Sequence, residues 1–131
     1  MQVIQLKKEK KVDYYFDNER PIYVQLVEKI RLEIISGKLQ SGQRIPSVRE
    51  MALKVKVNPN TMQKALAELE EEGLIYTERT NGKFVTENKE LIEKIKKKLA
   101  EEKVNNYLKD MQNIGIDYKE ALKYLQELGG K

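Results

Sequence analysis

Two helix-start signals lie so close together in this chain that they restrict its fold more than any other feature. The segment from Ser47 to Glu50 is a capping box, in which each residue's side chain accepts from the other's backbone N–H. Asn58, followed by a proline, marks a second start, since Asn suits the N-cap and Pro the first helical position. The first of the two helices ends near Val55. The short connection predicts a helix-turn-helix pair.

Apolar spacing predicts one more helix before this pair. Apolar residues recur at intervals of three and four from Tyr23 to Ile35, which is typical of an amphipathic helix. Pro21 is expected at its first position and Gly37 at its left-handed C-terminal cap. The segment 39–45 is interpreted as a turn-bearing connection.

The pattern after Asn58 indicates a helix and then a β-hairpin. Gly73 is expected to end the helix. Residues 74–76 and 83–85 are predicted to be short strands, joined through an Asn-Gly tip at 80–82. The fold class is therefore mainly α with a small β-hairpin (α+β). The order of elements predicts a winged helix-turn-helix DNA-binding domain, followed by a two-helix C-terminal dimerisation domain.

The C-terminal helices are expected from about Lys89 to Asn113 and after a cap at Asp117. Their apolar stripes need a partner surface, and we expect either a second copy of the chain or the preceding domain to bury them. The residues predicted for a dimer seam are Leu91, Ile95, Leu99, Val104, Leu108, Met111, Leu122 and Leu125. The predicted division is an N-terminal arm at 1–16, the winged domain at 17–86 and the dimerisation domain at 87–131.

Composition argues against several classes of function. The 131 residues include no Cys and no His, which removes disulfides, thiolate chemistry and the commonest general base. No apolar run approaches the roughly 20 residues that span a bilayer, and no secretory signal opens the chain, so a cytoplasmic location without membrane contact is expected. No catalytic motif, metal-ligand spacing or cofactor loop is recognised. The acidic run 70–72 is interpreted as a solvated helix end.

Charge is concentrated beside the second helix-start signal. The net charge of +4 is weak evidence by itself. Between Lys38 and Lys64, however, six basic residues accompany a single acid, Glu50. The six are Lys38, Arg44, Arg49, Lys54, Lys56 and Lys64. This local basic stretch predicts a polyanionic partner for the neighbouring helix.

The start of the third helix has the side chains of a groove-reading surface. Recognition helices present their N-terminal residues to base edges, where Asn and Gln pair with adenine and Lys or Arg with guanine or phosphate. The predicted DNA-binding residues here are Asn58, Asn60, Thr61, Gln63 and Lys64, with Arg49 from the preceding helix. Asn58 is expected to cap its helix in any case. The alternative is that the other side chains are simply solvated.

The hairpin and the connection complete the predicted DNA-binding set. Gly82 serves the turn, and it would also let the wing backbone approach the sugar-phosphate chain. Arg79 and Lys83 could then reach phosphates, the alternative being a plain solvated hairpin. Arg44 and Ser47 belong to the same set.

These residues resemble the GntR family of bacterial transcription regulators. The resemblance rests on Pro21-Ile22-Tyr23, the segment 42–50, Asn58-Pro59-Asn60-Thr61, and the segment 69–75 closing on Gly82. The short two-helix tail is similar to that of the YtrA subfamily. This implies a homodimer joined through the tail helices, and repression of an operon that often encodes an ABC transporter.

The resemblance also implies which residues face DNA. In the family, the positions matching Arg49, Asn58, Asn60, Thr61, Gln63, Lys64 and Gly82 lie on the DNA side. Family members often carry Arg in the recognition helix where this chain has Pro59 and Gln63. The operator sequences of other branches of the family are therefore not expected to apply to this chain.

Two function hypotheses remain at this point. The first is a dimeric repressor that binds double-stranded DNA at two half-sites about 34 Å apart, and hence a pseudo-palindrome. The second is a winged-helix protein-interaction module. The polar, basic helix start argues against the second, because a protein-binding surface is richer in aromatic residues. A small-molecule effector, acting between domains or subunits, is left open.

Overall fold

The computed structural model describes residues 14–130, which form five helices and three short strands. The helices are α1 (Ile22–Ile35), α2 (Val48–Val55), α3 (Pro59–Glu71), α4 (Lys89–Asn113) and α5 (Tyr118–Gly129). The strands are β1 (Arg44–Ile45), β2 (Ile75–Glu78) and β3 (Gly82–Val85). The Lys-rich part of the predicted N-terminal arm, residues 7–11, lies outside the described residues.

The chain divides into two compact units, with the boundary between Ile92 and Glu93 inside α4. The first unit contains the three helices and the sheet expected of a winged helix-turn-helix, which confirms the predicted fold class. The second unit contains the remainder of α4 and the whole of α5. The domain limits at 16 and 86 stay a prediction.

Helix α1 supplies the centre of the first unit's core. Leu26 and Ile30 have no exposed surface, and the helix packs against α3. Pro21 lies at the N-cap with extended backbone, so the predicted start is one residue early. Gly37 takes the expected left-handed conformation, with φ +86°, and its N–H donates to the Ile34 carbonyl.

The helix-turn-helix forms as the two start signals predict. The Ser47 hydroxyl accepts from the Glu50 N–H, and the Glu50 carboxylate accepts from the Ser47 N–H, each at 3.1 Å. Helix α2 ends at Val55, and Lys56 reverses the chain in the left-handed region with φ 60°. Asn58 then caps α3 by accepting from the backbone N–H of Asn60 at 2.7 Å.

A third strand joins the predicted hairpin. The sheet is antiparallel with the order β1-β3-β2, so β1 pairs with β3 on the side opposite β2. The segment 39–45 was expected to be a connection only, and that expectation is wrong for Arg44 and Ile45. Two residues carry no strand periodicity of their own. Their strand exists because Phe84 and Lys83 lie opposite them in the folded domain.

The hairpin turn differs by one residue from its predicted position. Residues 79–81 form the loop, and the Asn81 N–H donates to the Glu78 carbonyl at 3.3 Å. Gly82 opens β3 with φ +103°. This is a three-residue loop followed by a residue at positive φ, which only glycine adopts without strain.

The second unit is held together where α5 turns back on α4. The turn contains Gly115 at φ +83°, and Asp117 caps α5 by accepting from the Glu120 N–H at 3.0 Å. The Tyr107 hydroxyl of α4 donates to the Ala121 carbonyl of α5 at 3.1 Å, and Ala121 is fully buried. Over residues 14–130, no helix has the length and apolar character needed to cross a membrane.

Candidate nucleic-acid interface

Helix α3 has a buried face and an exposed face. Met62, Ala65, Leu66 and Leu69 are fully buried. With 3.6 residues per turn, Asn60, Gln63 and Lys64 lie on the other side and are exposed. Thr61 lies at the edge and is half-buried. The polar side chains predicted to read DNA are therefore brought together on one surface.

Charge changes sign along this exposed surface. The N-terminal part carries Lys64 and the backbone N–H groups that give a helix start its partial positive charge. The C-terminal part carries the exposed Glu71 and, at its edges, the half-buried Glu68 and Glu70. A polyanion such as DNA is therefore attracted to the start of α3 and repelled from its end.

The predicted residues of α2 lie at the start of that helix. Arg49 is exposed in the first turn. Ser47 caps the helix with its oxygen, which leaves its hydroxyl hydrogen to donate to a phosphate. Hydrogen bonds with Ser47 lower the pKa of Glu50, which favours the charged form of this carboxyl in the cap.

Arg44 ties the first strand to the wing tip. Its Nε donates to the Asn81 carbonyl at 2.8 Å. A Cβ on Gly82 would come within 3.3 Å of Nε and Nη2 of Arg44, so the guanidinium uses the space left by the missing side chain. Gly82 is therefore favoured by its φ, and a side chain there would also displace the Arg44 guanidinium by a few tenths of an ångström. Arg79 lies in the exposed tip.

Lys83 points to α3 and is largely covered. Its ammonium donates to Glu70 at 3.2 Å and to the Thr77 hydroxyl at 2.9 Å, and its side chain is 19% exposed. The Thr77 hydroxyl also donates to Glu70, and these bonds together lower the pKa of that carboxyl. A phosphate contact by Lys83 stays a prediction, and it would have to compete with this network.

The acidic run at 70–72 is exposed at Glu71 and partly exposed at Glu70 and Glu72, and these two also form ion pairs within the domain. Glu70 joins the wing as described, and Glu72 accepts from the Arg31 guanidinium of α1. The two cationic partners, Lys83 and Arg31, lie 13 and 41 residues away in sequence, so the run alone carries no sign of them. The run serves to fasten the end of α3 to its neighbours.

One neighbour of the predicted interface was missed by the sequence analysis. The Lys64 ammonium lies 3.9 Å from the ring centroid of Tyr23 in α1. Tyr23 was assigned to the apolar stripe of α1 and to the family motif Pro21-Ile22-Tyr23, without a contact to Lys64. No local signal could have found the contact, because it exists only once α1 packs on α3.

The residues predicted for a dimer seam differ in exposure. Leu91 is half-buried within the first unit. In the second unit, Ile95, Leu99, Leu108 and Met111 are half-buried, whereas Val104, Leu122 and Leu125 are exposed by 40% or more. Within the described part of the chain, no cluster of His, Cys, Asp or Glu is arranged to hold a metal ion.

Comparison with known proteins places these features in a family. The sequence profile described as "Bacterial regulatory proteins, gntR family" matches residues 22–85, which run from the start of α1 to the end of β3. YhcF of Bacillus subtilis (strain 168), an HTH-type transcriptional regulator, is 37% identical over 85% of this chain and 92% of its own. The HTH-type transcriptional repressor YtrA of the same organism is 32% identical over 85% of this chain and 90% of its own.

Solved structures agree with the sequence matches. A GntR family transcriptional regulator from Listeria monocytogenes superposes with a TM-score of 0.79 at 40% identity, over 86% of this chain and 99% of that one. The DNA-binding domain of AraR, solved in complex with operator ORX1, superposes with a TM-score of 0.55 at 29% identity, over 60% of this chain and all of that one. With its winged helix-turn-helix, its polar recognition-helix start and these relatives, the chain belongs to the GntR family of bacterial transcriptional regulators.

Proposed function

We propose that this protein is a homodimeric repressor that binds a pseudo-palindromic operator upstream of its own operon. The start of α3 enters the major groove, with Asn60 and Gln63 toward base edges. Arg49 and Lys64 contact phosphates. The wing tip at Gly82 follows the backbone of the neighbouring groove.

The observation that carries this proposal is the exposed polar surface at the start of α3. Asn60, Gln63 and Lys64 share that surface, opposite a fully buried apolar face. Asn and Gln offer the donor and acceptor pair that adenine presents in the major groove. The acidic residues at the far end of α3 restrict the contact to its first two turns.

Relatives support the repressor part of the proposal. YtrA of Bacillus subtilis is named a transcriptional repressor, and the AraR domain was solved on operator DNA. The expectation that the operon carries transporter genes derives from the resemblance to the YtrA subfamily. A repressor of this kind would bind where it blocks access to the promoter.

The test is binding of the full chain to duplex DNA from upstream of its own operon, followed by fluorescence anisotropy across about 50 to 200 mM salt. We expect selective binding that salt weakens. Asn60→Ala should weaken binding to the specific duplex by at least about fivefold, the loss expected for one bidentate base contact. Arg49→Ala should weaken binding and reduce the salt slope by about one.

Matched controls separate contact loss from general effects. Asn113→Ala removes an exposed Asn at the end of α4, and Lys98→Ala removes an exposed cation of the same helix. Both should bind nearly as the wild type does. The wild type could bind the upstream duplex no more tightly than a random-sequence duplex, and a genome-wide DNA pull-down could find no site. These two results together would favour the hypothesis of a protein-interaction module.

A further inference from the structure

The ring of Tyr23 lies beside the exposed Lys64 side chain. Lys64 is exposed in the second turn of α3, and its Nζ lies 3.9 Å from the centroid of the Tyr23 ring. Tyr23 is the second residue of α1 and is half-buried, and α1 packs against α3. The face of an aromatic ring attracts an ammonium electrostatically.

A lysine held in this way is prepared for a second contact. A free lysine loses much side-chain entropy when its ammonium is ordered by a partner. An ammonium has three N–H donors, and the ring covers only one side of it. The other donors remain available to an anion, and part of the ordering cost has already been met in the free protein.

The position of the ammonium favours a phosphate over a base. Asn60 and Gln63 lie on the exposed side of α3, whereas the Lys64 ammonium is drawn toward α1. A recognition helix in the major groove has a phosphate backbone on each flank, and phosphates receive most protein–DNA hydrogen bonds.

We propose that Tyr23 is a positioning residue that holds the Lys64 ammonium ready to contact a DNA phosphate beside the recognition helix. This rests on the proposed function, because it requires that α3 binds DNA. Tyr23 itself acts through the face of its ring and not through its hydroxyl.

The experiment is a double-mutant cycle on binding of the full chain to its operator duplex, measured by anisotropy across the same salt series. Tyr23→Leu removes the ring and keeps apolar bulk, and Tyr23→Phe keeps the ring and removes the hydroxyl. We expect Tyr23→Leu to weaken binding about two- to fivefold, the fold-change that corresponds to an exposed cation–π contact. Tyr23→Phe should stay within twofold of the wild type.

Lys64→Gln supplies the second arm of the cycle. It should reduce the salt slope by about one, as loss of one phosphate contact does. In the Lys64→Gln background, Tyr23→Leu should cause no further loss of affinity, because the two residues act as one unit. A thermal melt of each variant, followed by circular dichroism, checks that the fold is retained.

Three results would overturn the inference. One is an equal loss from Tyr23→Leu in both backgrounds, which would show that Tyr23 supports the domain in general. Another is an unchanged salt slope in Lys64→Gln, which would show that Lys64 contacts no phosphate. If the wild type still binds selectively in that case, the proposed function is retained. The third is a wild type without selective binding, which removes both proposals together.

Discussion

Glu70 shows at the scale of one residue how the wing is fastened to the recognition helix. Its carboxylate accepts from the Thr77 hydroxyl at 2.7 Å and from the Lys83 ammonium at 3.2 Å. Thr77 and Lys83 are paired across β2 and β3, so one carboxylate fixes both strands against α3. Because the wing and the start of α3 are both predicted to contact DNA, their relative position affects binding.

We expect Glu70→Gln to destabilise the domain in a pH-dependent way. The Thr77 and Lys83 bonds lower the pKa of Glu70 from its ordinary value of 4.5. A carboxyl with a lowered folded-state pKa contributes stability above its unfolded-state pKa and loses it as pH falls through the folded-state value. The pair is partly exposed and screened, so the free energy of unfolding at pH 7 should fall by only about 0.5 kcal/mol.

Urea denaturation at pH 7 and at pH 3 measures this prediction. The difference between wild type and Glu70→Gln should shrink at pH 3, where the wild-type carboxyl is losing its charge. Glu71→Gln, a change at the exposed neighbour, is the matched control. An undiminished difference at pH 3 would show that the charge of Glu70 does not carry the effect.

At the scale of elements, the turn between α2 and α3 contains a strained residue. Lys56 has φ 60° and ψ 50°, and among residues 14–130 it is the non-glycine residue at positive φ. The turn is short, because only three residues, 56–58, separate the end of α2 from the start of α3. The Cβ of Lys56 is crowded in this left-handed conformation, which costs about 1 to 2 kcal/mol.

Replacing this residue should therefore strengthen the turn. We expect Lys56→Gly to raise the free energy of unfolding by about 1 kcal/mol, since relief of strain exceeds the entropy that glycine adds to the unfolded chain. Lys54→Gly, within α2, should lower it by about 1 kcal/mol because the backbone there is helical. Thermal or urea unfolding of the two variants shows whether each change raises or lowers the free energy of unfolding. A loss of stability in Lys56→Gly would contradict the strain argument.

At the scale of the whole molecule, apolar side chains of the second unit remain uncovered in one chain. Leu122 is 40% exposed, Leu125 is 50% exposed and Leu128 is 72% exposed, all on α5. Apolar surface of this kind on one helix favours an interaction with another protein surface. A second copy of the chain is the partner that a two-half-site operator requires.

Light scattering tests the dimer. The wild type should have twice the mass of one chain, and Leu122→Glu with Leu125→Glu should give monomers and weaken operator binding, since the two half-sites are no longer bound jointly. Leu32→Glu is the control, because Leu32 is an exposed leucine of α1 in the first unit. A wild-type monomer at micromolar concentration would remove the homodimer from the proposal.

Much of the fold could be predicted because its signals are local. The capping box of Ser47 and Glu50, the Asn58 cap and the Asp117 cap each join residues two or three positions apart. Such hydrogen bonds form wherever the helix starts, whatever surrounds it. The exposed surface of α3 followed from the same periodicity that buries Met62.

The remaining features depend on residues far apart in the chain. Strand β1 exists through its pairing with β3, and the Lys83–Glu70, Arg31–Glu72 and Lys64–Tyr23 contacts each join different elements. The sequence by itself therefore determined the helices, their caps and the exposed polar surface of α3 that is predicted to contact DNA, because short-range spacing encodes them. Only the tertiary structure decided which charged side chains stay exposed and which are bound within the protein, because that depends on how the elements pack.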